Sequence, residues 1–401
     1  MPFTYYRVCK YFTALFSAIL VSCQFPYTPE QEPPVSTEKT VSQKIGVFPV
    51  NGGKQTCNIS ISPDTTDFRG CMLWLNFSGA LVQNVSPELA GYKTFAQQHD
   101  RLTITDSSNT VRWFITRDEM GAQGEDNFQD PEWSTHPGII VSLLSSQNLQ
   151  KWNLFAIDLK SKNSIKLCDE KMDEVSTPHL WIPETSIFSG TDDISPEYNS
   201  SGFADKNSVR KFFGTSDVKV VFSRKESGLL SLYYVNYNES AVPSKLPRPA
   251  GKENWKLESP LISPDGKWVV YNAYQSTRYY ESYIQELRPG SVPILIAEGA
   301  SDPHWWTHPD DRSLQYIVYA RIPGDNLVQA DLAEPKVQET GSAGSTWMQQ
   351  VKLFPGRPSM MAVVKTGDPI LLVNLPLKGG RSPDGAFFCT GYSSAYIVRL
   401  Y

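Results

Sequence analysis

The chain has no H-E-x-x-H motif, no G-x-S-x-G elbow and no phosphate-cradling Gly-rich loop, which removes the zinc peptidases, the α/β-hydrolases and the nucleotide-binding folds. It has no basic run either. With 37 Lys and Arg against 42 Asp and Glu, a net charge of -5, nucleic acid is not an expected partner. No apolar run reaches the length of a membrane-spanning helix, and no long amphipathic helical pattern appears. Histidine and cysteine are scarce, at 5 and 6 residues. No carboxylate or Cys recurs at ligand spacing beside the histidines, so neither a metal nor a cofactor is expected. Besides Cys9 and Cys23 the thiols are Cys57, Cys71, Cys168 and Cys389; Cys57 and Cys71 either close a short loop or stay as buried free thiols.

What the chain does have is internal repetition. Asp130-Pro131-Glu132-Trp133-Ser134-Thr135-His136-Pro137 and Asp302-Pro303-His304-Trp305-Trp306-Thr307-His308-Pro309 agree at six of eight places, and an apolar run follows each. Thr177-Pro178-His179-Leu180-Trp181 is a looser copy, and Gly380 to Gly385 another. The copies recur at about 45 residues or nearly twice that, a period of propellers and other repeat folds.

Ser259 to Leu287 displays one repeat in full. Pro264-Asp265-Gly266 is turn chemistry: Pro presets φ, Asp caps and Gly accepts a positive φ. Short extended segments lie on both sides, Pro260–Ser263 and Lys267–Tyr274, and Tyr279–Leu287 and Val292–Ala297 supply two more. Four short antiparallel strands make one blade. The stretch resembles a blade of the TolB-type propeller, whose P-x-W-S-P-D-G-K pattern is matched in part by Trp133 and Trp305 and in part by Pro264-Asp265-Gly266 and Pro383-Asp384-Gly385. The resemblance implies an all-β fold: a single propeller over 44–401 of six or seven four-stranded blades. Because the chain has room for only one strand after the last turn, Ala395–Leu400, the apolar run Lys44–Val50 is expected to join it and close the ring.

Residues 1–22 read as a targeting signal, with Arg7 and Lys10 ahead of the apolar run Tyr11–Val21. Leu20-Val21-Ser22-Cys23 resembles a bacterial lipobox, the alternative being an ordinary signal peptide with a chance Cys. The resemblance implies acylation of Cys23, anchoring in a membrane through lipid alone, and, with Gln24 following, sorting to the outer membrane. Residues 23–43, rich in Pro, Glu, Thr and Ser, bury too little surface to fold and are expected as a disordered tether. The expected location is therefore the bacterial cell envelope, periplasmic or surface-exposed.

Trp306 and Trp347 are the aromatic candidates for ligand contact, since the repeat constrains them least; Trp133 and Trp305 are expected to pack between blades. His304 and His308 are the polar candidates near the channel mouth. His136 and His308 are also placed to tie the turn after the first strand, and Asp130 and Asp302 to hold blade-to-blade contacts. In the acidic insertion Ser189–Asn207, Asp192, Asp193, Glu197 and Asp205 have oxygen ligands suited to calcium but at no EF-hand spacing, so a solvated loop is expected. The functional expectation is a non-enzymatic platform for an envelope protein or a glycan. The alternative is a surface polysaccharide-degrading enzyme with paired carboxylates in the central pocket.

Overall fold

The computed structural model describes residues 46–49, 57–64, 66–69, 71–75, 84–89, 91–92, 99–106, 110–122, 126–146, 151–169, 175–186, 194–276, 279–298, 300–307, 315–321, 351–352, 359–360, 371–376 and 393–399. All of these fall in the unit Lys44–Tyr401. The signal, Cys23, the tether, His308, Trp347, Cys389 and the Pro383-Asp384-Gly385 turn lie outside the described residues.

After β1 (Gly46–Pro49), strands β2 (Cys57–Ile61), β3 (Met72–Leu75), β4 (Asn84–Val85), β5 (Arg101–Thr105) and β6 (Thr110–Thr116) form one sheet in the order β2-β3-β5-β6-β4. Three four-stranded antiparallel meanders follow. They are β7 (Phe128–Trp133), β8 (Ile139–Ser146), β9 (Lys151–Asp158) and β10 (Ser164–Cys168); β11 (Val175–Trp181), β12 (Lys219–Glu226), β13 (Leu229–Asn236) and β14 (Ser240–Lys245); and β15 (Lys256–Ile262), β16 (Trp268–Ser276), β17 (Tyr279–Glu286) and β18 (Ile294–Glu298). Two hairpins come next, β19 (Ala300–Thr307) with β20 (Gln315–Arg321) and β21 (Val351–Lys352) with β22 (Ser359–Met360). Last come β23 (Leu371–Pro376) and β24 (Ser393–Arg399).

The three four-stranded sheets are blades, and the first strands of successive sheets pack side by side: β2 against β7, β7 against β11, β11 against β15, β15 against β19. Those strands surround the axis of a β-propeller. The ring closes where the apolar run before the first blade predicts it, for β1 pairs antiparallel with β24 from Gly46↔Arg399 to Pro49↔Tyr396, and β23 flanks β24 on its other side.

The fourth blade, β15 to β18, shows how local chemistry sets the strand ends. Gly266 takes φ 70° and its N–H reaches the Ser263 carbonyl at 2.8 Å. Ser263 Oγ accepts the N–H groups of Lys267 and Trp268, and Asp265 Oδ1 also accepts that of Lys267. The same device opens the first blade, where Asp64 of Ser62-Pro63-Asp64 accepts from Thr66 and Phe68.

Cores form between blades rather than within them. Trp133, Phe128, Ile140 and Ile157 meet Leu73, Leu102 and Ile104 of the first blade, while Trp181, Val221 and Leu232 meet Leu257, Tyr271 and Tyr283 of the fourth.

The acidic insertion departs from the solvated loop expected of it. Ile194, Phe203 and Ala204 are buried with the strands of the second and third blades, and Phe203 stacks on Phe222 at 5.5 Å. It ends in α1 (Lys206–Phe213), whose Val209, Phe212 and Phe213 turn into the same core. Asp205 caps this helix, its Oδ1 accepting the Ser208 N–H at 2.7 Å, and Gly214 ends it at φ 70°. Asp192 and Asp193 lie outside the described residues. Asp205→Ala is expected to lower stability by about 1 kcal/mol, as loss of a cap does, which urea unfolding would measure; an unchanged midpoint would show that the cap contributes nothing.

The register also decides the cysteines. Cys57 stands opposite Leu75 while Ile61 stands opposite Met72, so Cys71 lies past the far end of the ladder from Cys57. Four strand steps of about 3.3 Å separate them, well beyond the roughly 7 Å that a disulfide spans. Cys71 and Cys168 are free and buried, and burial pushes both thiols up to about 12, which leaves them unreactive.

Candidate functional site: the inner rim

The strands around the axis share one irregularity. The register slips between Cys57 and Ser60, Gln129 and Glu132, Ser176 and His179, Glu258 and Leu261, and Ser301 and His304. From the second blade on, the bulge contains an X-Pro pair: Asp130-Pro131, Thr177-Pro178, Ser259-Pro260, Asp302-Pro303. Proline has no N–H to give a ladder and so settles at the bulge. The residue before it nevertheless has a positive φ, 45° at Asp130, 45° at Thr177 and 53° at Ser259. Such conformations each cost about 1–3 kcal/mol and persist only where the surroundings hold them.

What holds them is the neighbouring blade. Asp130 Oδ2 accepts the N–H of Thr177 at 2.8 Å, and Thr177 Oγ1 in turn accepts the N–H of Ser259 at 3.2 Å. Two residues past Thr177, His179 Nδ1 accepts the N–H of Ile262 at 3.0 Å, and in the first blade Ser60 Oγ accepts that of Trp133 at 2.9 Å. Side chains on one blade thus anchor main-chain amides on the next, in a chain that runs around the axis.

Burial sets the protonation of this rim. His179 is pushed down to about 3 by desolvation and stays neutral, its Nδ1 already used as an acceptor. Glu132 keeps a little accessible surface at the axis, yet protein crowds it, and that crowding pushes its carboxyl up to about 7 although the Ser60 hydroxyl donates to it. Glu258 is likewise raised to about 7, chiefly by burial. The charge of Asp130 acts on both glutamates.

The glutamates make stability depend on pH in a defined direction. Between 4.5, its ordinary value, and about 7, Glu132 binds a proton in the folded chain that the unfolded chain has released. Its contribution therefore falls as pH rises through that window and is constant above it. Glu132→Gln removes the effect, so the variant should gain on the wild type by about 3 kcal/mol between pH 4.5 and pH 8. His179 works in the opposite sense, its contribution rising with pH from about 3 to 6.5; comparing variant with parent at each pH cancels it. A difference in urea midpoint that does not change with pH would refute the assignment.

The residues singled out in the sequence fall as follows. Trp133 is buried, with its Nε1 donating to the Pro137 carbonyl at 3.0 Å and its ring edge-on to Phe68. Trp305 Nε1 donates to the Leu261 carbonyl of the preceding blade at 2.9 Å. His136 Nδ1 accepts the Gly138 N–H, so its proton is on Nε2, facing the Ser186 carbonyl at 3.2 Å. Pro264 and Gly266 meet the third blade: Trp181 Nε1 donates to the Pro264 carbonyl at 2.9 Å and Lys219 Nζ to that of Gly266 at 2.6 Å. Pro303 is buried, and His304 is half-buried in β19, close enough to His179 to hold down its protonation. Asp302 and Trp306 belong to β19, their side chains outside the described residues.

Ser60, Glu132, Thr177, Trp181 and Glu258 were given no role by the sequence, although Glu132, Thr177 and Trp181 stand in copies of the repeat. Among the described residues, no group of three or more His, Cys, Asp or Glu is arranged to hold a metal ion. Among the same residues, no helix is long and apolar enough to cross a membrane.

Among solved structures the chain is similar to TolB from Acinetobacter baumannii, at 11% identity over 70% of this chain and 62% of that one, with a TM-score of 0.36. It is similar also to a putative TolB from Agrobacterium tumefaciens, at 12% identity over 71% and 100%, with a TM-score of 0.36. Oligogalacturonate lyase from Vibrio parahaemolyticus matches at 12% identity over 67% and 64%, with a TM-score of 0.34. The chain thus spans less than two thirds of the Acinetobacter TolB and of the lyase. No protein-family model and no curated protein sequence matches it.

Proposed function

We propose that this chain is a cell-envelope lipoprotein, acylated at Cys23 and tethered through residues 23–43, whose propeller binds a protein partner or an envelope glycan without turning it over. The observation that carries this reading is the inner rim. Ser60, Asp130, Thr177 and His179 each accept a main-chain N–H of the following blade, so these side chains are committed to holding the ring rigid. A rigid, preformed surface favours binding, because little ordering remains to be done when the ligand arrives.

One observation favours the second reading, a polysaccharide-degrading enzyme. Glu132 and Glu258 are both held near 7, where a carboxylic acid serves as a proton donor. Affinity capture separates the two readings, with the detergent-solubilised, lipid-anchored protein as bait and mass spectrometry as readout. Binding predicts a stoichiometric partner or glycan whose retention falls in Trp306→Ala or Trp347→Ala. Empty bait, together with new reducing ends released from polysaccharide and abolished in Glu132→Gln, would replace binding by hydrolysis.

A further inference from the structure

The outer strands of the three four-stranded blades are finished in different ways. β10 is covered by the acidic insertion: the Asp169 N–H reaches the Gly202 carbonyl at 2.8 Å, the Ala204 N–H reaches the Leu167 carbonyl at 3.0 Å, and Cys168 and Phe203 form an antiparallel bridge. β14 is touched by the same insertion, Asn199 Nδ2 donating to the Ala241 carbonyl at 2.9 Å, and it carries Pro243, which has no N–H to offer, and Lys245. Covering, proline and lysine all blunt a strand edge. β18 has none of them. It stands last in its sheet, and its Ile294-Leu295-Ile296-Ala297 is apolar throughout. The register is irregular along all three strands, so a bulge does not set β18 apart.

Solvent reaches this edge. Among the described residues the exposed large apolar side chains are Val242, Val292 and Leu295, and two of them stand here, Val292 at 75% and Leu295 at 44%. Among the same residues no main-chain bond reaches 292–298 from outside the sheet. Charge then narrows what could cover it. The bulge passes over Ile296, so Leu295 opposite Tyr283 and Glu298 opposite Glu281 lie on one face. Glu281 is already matched, with Lys252 Nζ 2.6 Å from its Oε1 and the Tyr283 hydroxyl donating to its Oε2. Glu298 is exposed, and among the described residues no base pairs with it; Arg288 is taken up by Glu286. Like charges directly opposite each other on neighbouring strands repel, and a base on the far side of Glu298 offsets that.

We propose that the outer edge of the fourth blade binds an extended segment of a partner protein as a fifth strand, with an apolar side chain set beside Leu295 and a lysine or arginine beside Glu298. Main-chain pairing supplies the attachment and these two positions supply the selection. The chain itself shows the mode on its second blade, where Gly202–Ala204 lies along β10. The surface is separate from the inner rim and from Trp306 and Trp347, so the inference goes beyond the reading above.

The test is fluorescence anisotropy of a labelled, end-blocked octapeptide of valine and threonine with one lysine near its N-terminus, titrated with the purified, detergent-solubilised full chain. Two companion peptides replace the lysine by glutamate or methylate alternate main-chain nitrogens. Saturable binding of the lysine peptide is expected, about tenfold weaker for the glutamate peptide and lost on methylation. Glu298→Lys should reverse the preference between the two charged peptides, and Leu295→Lys should abolish binding. Both positions are exposed, so an unchanged urea midpoint is expected to accompany each change. No saturation by the lysine peptide, equal binding of the methylated one, or a charge preference that survives Glu298→Lys overturns the proposal. A wild-type dimer in sedimentation that Leu295→Lys dissolves would also overturn it, because the edge would then belong to a second copy of the chain. The methylation comparison uses the wild type alone, so it decides even where a variant fails to fold. Since Trp306 and Trp347 play no part, the result is independent of the capture experiment.

Discussion

Gly266→Ala is expected to lower stability by about 2–5 kcal/mol, the sum of a left-handed penalty of about 1–2 and an overpacking penalty of about 1–3. Gly266 has φ 70°, and an added Cβ would stand 2.5, 2.7 and 2.8 Å from Cε2, Cδ2 and Cζ2 of Trp181. That ring cannot step aside. It is buried, its Nε1 is bonded to the Pro264 carbonyl, and Lys219 Nζ lies 4.8 Å from its centre while donating to the Gly266 carbonyl. Gly251 supplies the control: its φ is 74° but nothing lies within 4 Å of an added Cβ, so Gly251→Ala should show only the conformational part, about 1 kcal/mol. Trp181→Leu removes the obstructing ring. In that background Gly266→Ala should cost less by about 1–3 kcal/mol, the coupling expected of residues in contact. Equal melting shifts for the two glycine variants would show that the blade contact is not the source.

Removing Gly46–Pro49 is expected to have an effect of similar size through a different route. The segment pairs residue by residue with Tyr396–Arg399 of β24, and its loss gives up about four hydrogen bonds of roughly 1 kcal/mol each. It also strips β24 of its partner on that side and exposes a strand edge. The truncated chain should therefore unfold at lower urea concentration and associate at concentrations where the parent remains monodisperse. An unchanged urea midpoint together with an unchanged elution profile would contradict ring closure. Both variants act on seams between chain segments distant in sequence, and those seams are where a propeller keeps its stability.

That distance also explains what the sequence made legible. The fourth blade was readable almost strand by strand because Pro264-Asp265-Gly266 carries its conformation locally and apolar, β-branched and aromatic runs flank it. Closure by residues 44–50 was readable because a last blade one strand short demands a partner, and this run is the first apolar one after the tether. The inner rim was not. A residue before proline ordinarily adopts extended conformations, so nothing local announces the positive φ of Asp130, Thr177 and Ser259. Glu132 looked like one acid among 42 Asp and Glu residues until the fold brought Ser60, 72 positions away, to its carboxyl. The short helix α1 has too few turns to impose a pattern, and its burial depends on Phe222 and the core of the neighbouring blades.

A channel lined by the first strands exists only if the ring is closed, and the rigid inner rim proposed as a binding surface depends on that closure. Hydrogen exchange read by mass spectrometry on peptides covering residues 44–50 and 393–399 examines the closure directly. Protection of the first peptide comparable to that of the second, with both lost together as urea approaches the midpoint, is the expected result. Exchange of the first peptide at the rate of unstructured chain while the second stays protected would show an open ring and contradict the account.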